Sequence, residues 1–338
     1  MATTNLRYGR YRKLDARTLW HRRELPTWLL AGGIYGGWFA ITALYGVLPW
    51  WVVLPVGGWL CAWHGSLQHE ALHGHPTRNP LVNELLVFPS LWLWYPYRLY
   101  RELHLTHHLD SRLTCPIDDP ESYYVTPQLW HAMGPARRAV RWVLNTLAGR
   151  LLLGPIVTTF WLYSKEIQRL VRGDTRNLLA WALHAVACGM VLIWVIVVCG
   201  IPFWAYLAFF AYPGVALSLL RSFAEHRPAP TFAQRTVINE AEWPFALLFL
   251  HNNLHAVHHR EPGLPWYELP ARYRATRDEV LAANGGFVQA GYRELARRFL
   301  VRPKDLPVHP YFGTEHCQPE DVDKMIRRQA SAQAVSLP

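Results

Sequence analysis

Two long stretches of this chain contain no Asp, Glu, Lys or Arg. One runs from Leu25 to His69 and the other from Asn177 to Leu220, each about 45 residues. A helix crossing the hydrocarbon core of a bilayer needs about 20 residues. Each stretch therefore holds two helices and a tight turn. The chain is 51% hydrophobic and 17% charged, with 17 tryptophans, which argues against a division into soluble domains. The pattern predicts one hairpin with spans at about 28–48 and 50–68, turning at Pro49. It predicts a second with spans at about 178–199 and 202–223, turning at Gly200–Pro202. Gly32, Gly33, Gly36 and Gly37 place small residues at helical spacing, which suits close helix contact in lipid. A cleaved leader fits poorly, because the first stretch continues into a second span.

Charge sets the expected orientation. Residues 1–27 carry seven Lys or Arg, and the turns at 48–51 and 200–201 carry none. Basic segments stay in the cytoplasm, so both termini and the central loop are expected there. The net charge of +10 suits a basic face meeting anionic lipid. No recognised motif accompanies it to suggest nucleic-acid binding. The five cysteines form no Cys-x-x-Cys pair and predict neither a disulfide framework nor an iron–sulfur site.

Three histidine clusters then stand out: His69-Glu-Ala-Leu-His73, His104-Leu-Thr-His107-His108 and His255-Ala-Val-His258-His259. Helical positions three and four apart share a face, so each cluster offers a row of imidazoles on one helix edge. Imidazole suits iron, zinc, copper and nickel, and hardly suits calcium or magnesium. With four spans, all three clusters fall on the cytoplasmic side. The spacing argument did not require that agreement.

The rest of the chain is read in order. Residues 1–27 form a basic interfacial segment, and residues 81–97 a partly inserted connection. Residues 151–163 are too short to span and are read as an interfacial helix. His184, inside the second hairpin, is read as a helix-contact residue. Glu279–Val301 has helical apolar spacing. Residues 261–338 are expected to be a cytoplasmic C-terminal region with a disordered end.

The three clusters and their spacing resemble the integral-membrane fatty acid desaturase and hydroxylase superfamily. Its pattern is HxxxH (or one residue longer), HxxHH and HxxHH on the cytoplasmic side of a four-helix membrane domain. Here the boxes read HEALH, HLTHH and HAVHH, within residues 28–260. The resemblance implies an all-α integral membrane protein with four transmembrane helices in two hairpins and a cytoplasmic helical cap holding the boxes. It implies two Fe ions, O2 as co-substrate, and attack on an unactivated C–H bond. That superfamily also recruits one histidine just after the last span, where His226 stands here. The implied ligands are His69, His73, His104, His107, His108, His226, His255, His258 and His259. Ligating histidines usually give their other N–H to a carboxylate or carbonyl. Glu70, Asp110, Asp118, Asp119 and Glu225 are the nearby candidates, with His251 as a further supporting residue. The expected partners are a lipophilic acyl substrate, membrane lipids and a separate electron-donor protein of ferredoxin, rubredoxin or cytochrome type. The expected location is a bacterial inner membrane, with the termini and the active site cytoplasmic.

Desaturation of a fatty acyl chain is the favoured reaction. The alternative within the superfamily is hydroxylation of an alkyl, carotenoid or small amine substrate. A distant alternative lies in the first box, since HExxH is also the motif of zinc proteases, with the glutamate as base. That reading leaves the other two boxes unexplained. A non-catalytic metal transporter or lipid-binding membrane protein would place ionisable groups along a path through the spans, and only His64 and His184 lie there.

Overall fold

The computed structural model describes residues 23–109, 112–314 and 317. Residues 1–22 of the expected basic segment 1–27, Asp110 and the C-terminal end lie outside them. Most helices here start at or beside a proline, although Pro55 and Pro213 lie within longer helical runs. A ring that fixes φ and lacks an N–H is tolerated in the first turn of a helix and disfavoured within it. Pro26, Pro80, Pro127, Pro135 and Pro155 open helices, and Pro49 and Pro202 immediately precede two more.

Long helices occupy all four expected places. Leu25–Ala43 packs against Trp50–Leu72. Leu178–Val198 and Phe203–Glu225 meet beside the turn that joins them, and these two are long and apolar enough to cross a membrane. The first helix ends at Ala43, short of the expected 48, because residues 44–48 wind into turns stitched by Val47 and Leu48 N–H donating to the Leu44 carbonyl. The second continues past 68 to Leu72, so His69 rides on its last turn. In Leu178–Val198, Val186, Met190, Ile193, Val197 and Val198 all face outward. So large a contiguous apolar surface calls for a cover other than water. The chain is thus membrane-associated.

Trp50–Leu72 and Phe203–Glu225 are the central pair. They run in the same direction, each leaving a short turn and ending in the histidine region. A Cβ on Gly214 would lie 2.5 Å from Cys61 Cβ, and one on Gly58 would lie 2.8 Å from Pro213 Cβ. Only glycine permits this approach. Three polar groups in the apolar core are paired, while Trp92 Nε1 finds no partner among the described residues. Trp38 Nε1 donates to Tyr206 Oη at 3.0 Å, Tyr206 Oη donates to the Leu91 carbonyl at 2.6 Å, and Trp194 Nε1 donates to Thr42 Oγ1 at 3.0 Å.

Between the hairpins lie shorter helices: Pro80–Leu86, Tyr97–His107, Pro127–Ala132, Pro135–Leu144, Leu147–Leu152 and Gly154–Val171. After the second hairpin come Phe245–Leu248, His255–Arg260, Leu269–Ala283 and Tyr292–Phe299. The fold is mostly helical, as expected; among the described residues almost no strand is present beyond Ile238–Asn239 paired in parallel with Val288–Gln289. One expectation is corrected: the helix expected over Glu279–Val301 is broken in two. Gly285 and Gly286 both adopt positive φ, and the Asn284 side chain accepts from Phe287 N–H and donates to the Phe287 carbonyl. Glycine in that conformation ends a helix, and the apolar spacing on either side belongs to separate elements.

Candidate metal centre

The helix geometry of each box decides where its imidazoles go. His69 and His73 sit at the end of the central helix Trp50–Leu72, His104 and His107 on the last turn of Tyr97–His107, and His255, His258 and His259 on His255–Arg260. His226 is the residue at which Phe203–Glu225 stops, in extended conformation. These elements converge so that nine imidazoles gather in two adjoining groups. One holds His69, His73, His104, His108 and His258; the other holds His107, His226, His255 and His259. Within each group the candidate ligand nitrogens all lie within 4.8 Å of one another. Boxes two and three are each split between the groups, and the rings of His108 and His259 stack across the divide at 4.2 Å.

The facing nitrogens are strikingly uniform in spacing. Nε2 of His226 lies 3.0 Å from Nε2 of both His107 and His255, and His255 lies 3.1 Å from His259. In the other group His108 Nε2 lies 3.0 Å from His104 and 3.1 Å from His258. Metal–imidazole bonds of about 2.0–2.1 Å set at right angles would separate their nitrogens by about 3 Å.

The second nitrogen of several rings fixes the tautomer. His107 Nδ1–H donates to Asp119 Oδ1 at 2.9 Å and His104 Nδ1–H to Glu121 Oε1 at 2.8 Å. His226 Nδ1–H donates to the Arg235 carbonyl at 3.2 Å, and His255 Nδ1–H to Asn252 Oδ1 at 3.1 Å. Carboxylates and carbonyls only accept, so in the neutral rings the inward-facing Nε2 atoms carry lone pairs. Lone pairs crowded at 3.0 Å repel unless a cation or a shared proton lies between them. Burial, reinforced by the neighbouring imidazoles, pushes His108, His226, His255, His258 and His259 well below the usual histidine range. These rings are neutral and ready to ligate. Burial also disfavours charge on His107, but Asp119 and Glu121 outweigh it and push that ring up to about 9. Glu121 is held below the carboxylate range: burial would raise it, and His104 and His107 prevail. The donor set is all imidazole, so the residues fit a pair of borderline transition metals.

Among the acidic candidates, Asp119 supports a ring directly. Glu225 Oε1 lies 3.4 Å from His255 Nδ1, behind Asn252, and pairs with Arg221 at 3.3 Å. Glu70 is turned away. Its Oε1 is 3.9 Å from His69 Nδ1, and its Oε2 accepts the Trp266 N–H at 3.1 Å. A zinc protease needs that carboxylate at the metal-bound water, so the HExxH alternative loses its base. Asp118 lies 3.7 Å from the Cys115 thiol, and among the described residues it hydrogen-bonds to no imidazole. His251 is not a ring partner; it adopts positive φ and stacks on Trp266 at 6.1 Å. His64 meets Tyr35 Oη at 3.2 Å, His75 meets Glu24 at 2.8 Å, and His184 lies 3.4 Å from the Cys188 thiol. None of these belongs to either group.

Sequence reasoning missed Glu121 and Asn252. Glu121 lies in the acidic run Asp118-Asp119-Pro120-Glu121, where which acid turns toward a ring is set by the loop's fold. Asn252 stands three residues before His255, in the turn that leads into the helix His255–Arg260, and only the fold of that turn aims its side chain at the ring.

No curated protein matches the chain. The fatty acid desaturase family matches it over residues 45–291, a span that encloses all three boxes and His226. With well over half its length matched and two groups of clustered imidazoles at the ends of its apolar hairpins, the chain belongs to the fatty acid desaturase family.

Proposed function

We propose that this oxidoreductase is a membrane-bound, O2-dependent di-iron desaturase of fatty acyl chains. The balanced reaction is removal of two hydrogens from adjacent methylenes, with O2, two electrons and two protons consumed and two waters formed. The observation that carries the reading is the division of nine imidazoles into two adjoining, carboxylate-free groups, several with the outer nitrogen tethered. His69, His73, His104, His108 and His258 would hold one iron; His107, His226, His255 and His259 would hold the other. Two irons bound there supply activation of dioxygen for attack on an unactivated C–H bond.

The chain's own residues supply everything around that chemistry. Asp119, Glu121, Asn252 and the Arg235 carbonyl orient the rings and raise their donor strength. The apolar hairpins keep an acyl chain within the bilayer next to the site. In the proposed topology all four long helices span, and the two turns at 44–49 and 199–202 face away from the cytoplasm. Electrons come from a separate one-electron carrier protein on the cytoplasmic side.

The experiment is expression in a host of known lipid composition, with product analysis by mass spectrometry. Desaturation removes two hydrogens from an acyl chain, and hydroxylation adds one oxygen. A hydroxylated product would replace the desaturase reading with the superfamily's other reaction. Purified, folded protein that takes up no iron under anaerobic loading would overturn both.

A further inference from the structure

The family match ends at residue 291, yet the chain beyond it returns to the histidine region. Residues 300–309 form a strap beside the site, fastened by main-chain bonds to residues 125, 145 and 148. Ala148 N–H donates to the Leu300 carbonyl, Lys304 N–H to the Asn145 carbonyl, Val125 N–H to the Pro307 carbonyl and His309 N–H to the Val125 carbonyl, all between 2.8 and 3.0 Å. Two of its side chains point inward. Lys304 is only 11% exposed. Its ammonium donates to the carbonyls of Phe223 and His226, each at 2.7 Å, and lies 3.4 Å from Asp305. It therefore caps the helix exactly where that helix hands over to His226. A cation on terminal helix carbonyls is favourable, and here one of the two carbonyls belongs to the candidate ligand itself.

His309 is 1% exposed. Tyr311 N–H donates to its Nδ1 at 3.3 Å, so its Nε2 carries the hydrogen and donates to Thr114 Oγ1 at 3.1 Å. Thr114 N–H donates in turn to Asp119 Oδ2 at 2.8 Å, and Asp119 Oδ1 accepts from His107. Thr114 sits at φ 66°. A β-branched residue holds that conformation only where its surroundings impose it, and His309 and Asp119 are those surroundings. Lys304 thus reaches His226, and His309 reaches His107 through Thr114 and Asp119. The Nε2 atoms of His107 and His226 are 3.0 Å apart in one histidine group.

We infer that the strap 300–309 is a working part of the four-histidine group, with Lys304 and His309 as positioning residues for the ligands His226 and His107. The inference rests on the two-metal reading above and adds that the two groups depend differently on the C-terminal chain. Lys304 touches no ring of the five-histidine group, and from His309 that group is reached only at one remove more, through Asp119 Oδ1, the Glu121 N–H it accepts and the Glu121 carboxylate on His104.

The test is metal content of the full-length protein, loaded anaerobically with Fe(II) and equilibrated with a graded chelator. Outer partners of metal ligands typically account for 10–100-fold in affinity. Lys304→Met and His309→Ala should each keep one tight iron per chain and weaken the second at least tenfold. Lys304→Arg and His309→Gln, which keep a donor, should recover part of that loss. Adding Lys304→Met to His226→Ala should cost no further iron, whereas adding it to His73→Ala should weaken what remains. Trp38→Phe, which loses a buried hydrogen bond in the apolar core, serves as a control that lowers Tm and leaves both irons. If Lys304→Met and His309→Ala bind two irons as tightly as the parent, or lose both together, the inference is wrong. A parent protein that binds no iron would instead refute the two-metal reading.

Discussion

Replacing His226 with alanine tests the assembly of the site most directly. A lone histidine after a span is ordinarily an interfacial residue. Here its Nε2 is 3.0 Å from Nε2 of both His107 and His255, and its Nδ1 is tied to the Arg235 carbonyl. Its removal reduces that group from four imidazoles to three, and leaves the carbonyl of residue 226 still held by Lys304. The backbone should therefore stay in place while one donor is lost. Losing a partner of a ligand already costs 10–100-fold. Losing the ligand should cost at least 100-fold in affinity for the second iron, or about 2.7 kcal/mol at 1.36 kcal/mol per tenfold. Product formation per membrane-inserted protein should fall as severely as in His107→Ala, alongside bound iron. His184→Ala removes a ring that touches Trp181 and Cys188 and His131→Ala a ring on the short helix Pro127–Ala132; both should retain most activity. Near-normal turnover and iron in His226→Ala would refute the reasoning. His251 and His64 could not rescue it, because neither lies in either histidine group.

Three further outcomes are expected. Asp119→Ala should weaken iron binding 10–100-fold through His107, while Asp118→Ala should stay within about threefold of the parent; equal effects would show that the loop does not place Asp119 as described. In single-cysteine variants lacking the five native cysteines, positions 243 and 301 should label from the cytoplasmic side and position 47 only from the opposite side; labelling of all three from one side would refute the proposed topology. Metal entry should also release a proton near neutral pH. Asp119 and Glu121 raise the metal-free His107 to about 9, so that ring is protonated at pH 7 and must lose the proton to ligate. Affinity for the second metal should then rise with pH between 7 and 9 and level off above; calorimetry in buffers of different ionisation enthalpy would read about one proton per chain, and no buffer dependence would contradict it.

The hairpins and the boxes were legible because they rest on local rules. An uncharged run of about 45 residues permits few structures, and HxxHH at helical spacing puts rings on one edge whatever the rest of the chain does. The partition of the rings into groups of five and four was not legible. It depends on how Tyr97–His107 and His255–Arg260 face one another, which is a tertiary fact. The broken helix near residue 285 shows the complementary limit. Apolar spacing persisted through Gly285-Gly286, and a moment along the sequence cannot see that two glycines at positive φ have turned the chain.

The acids around the site follow the same division between local and tertiary information. Nearness in sequence proposed Glu70 and Asp118, and both point elsewhere: Glu70 to the backbone of Trp266, Asp118 to the Cys115 thiol. A residue adjacent to a ligand on a helix is rotated about 100° from it, so it is poorly placed to reach that ligand's outer nitrogen. The groups that do reach are Asp119 and Glu121, 12 and 17 residues from their rings, and Asn252, three residues from His255. The rule this yields is geometric. Partners of a helical ligand come from the turn just before its helix or from a loop folded back over it. The strap at 300–309 extends that rule to Lys304 and His309, whose separation from the boxes left them without any local signal.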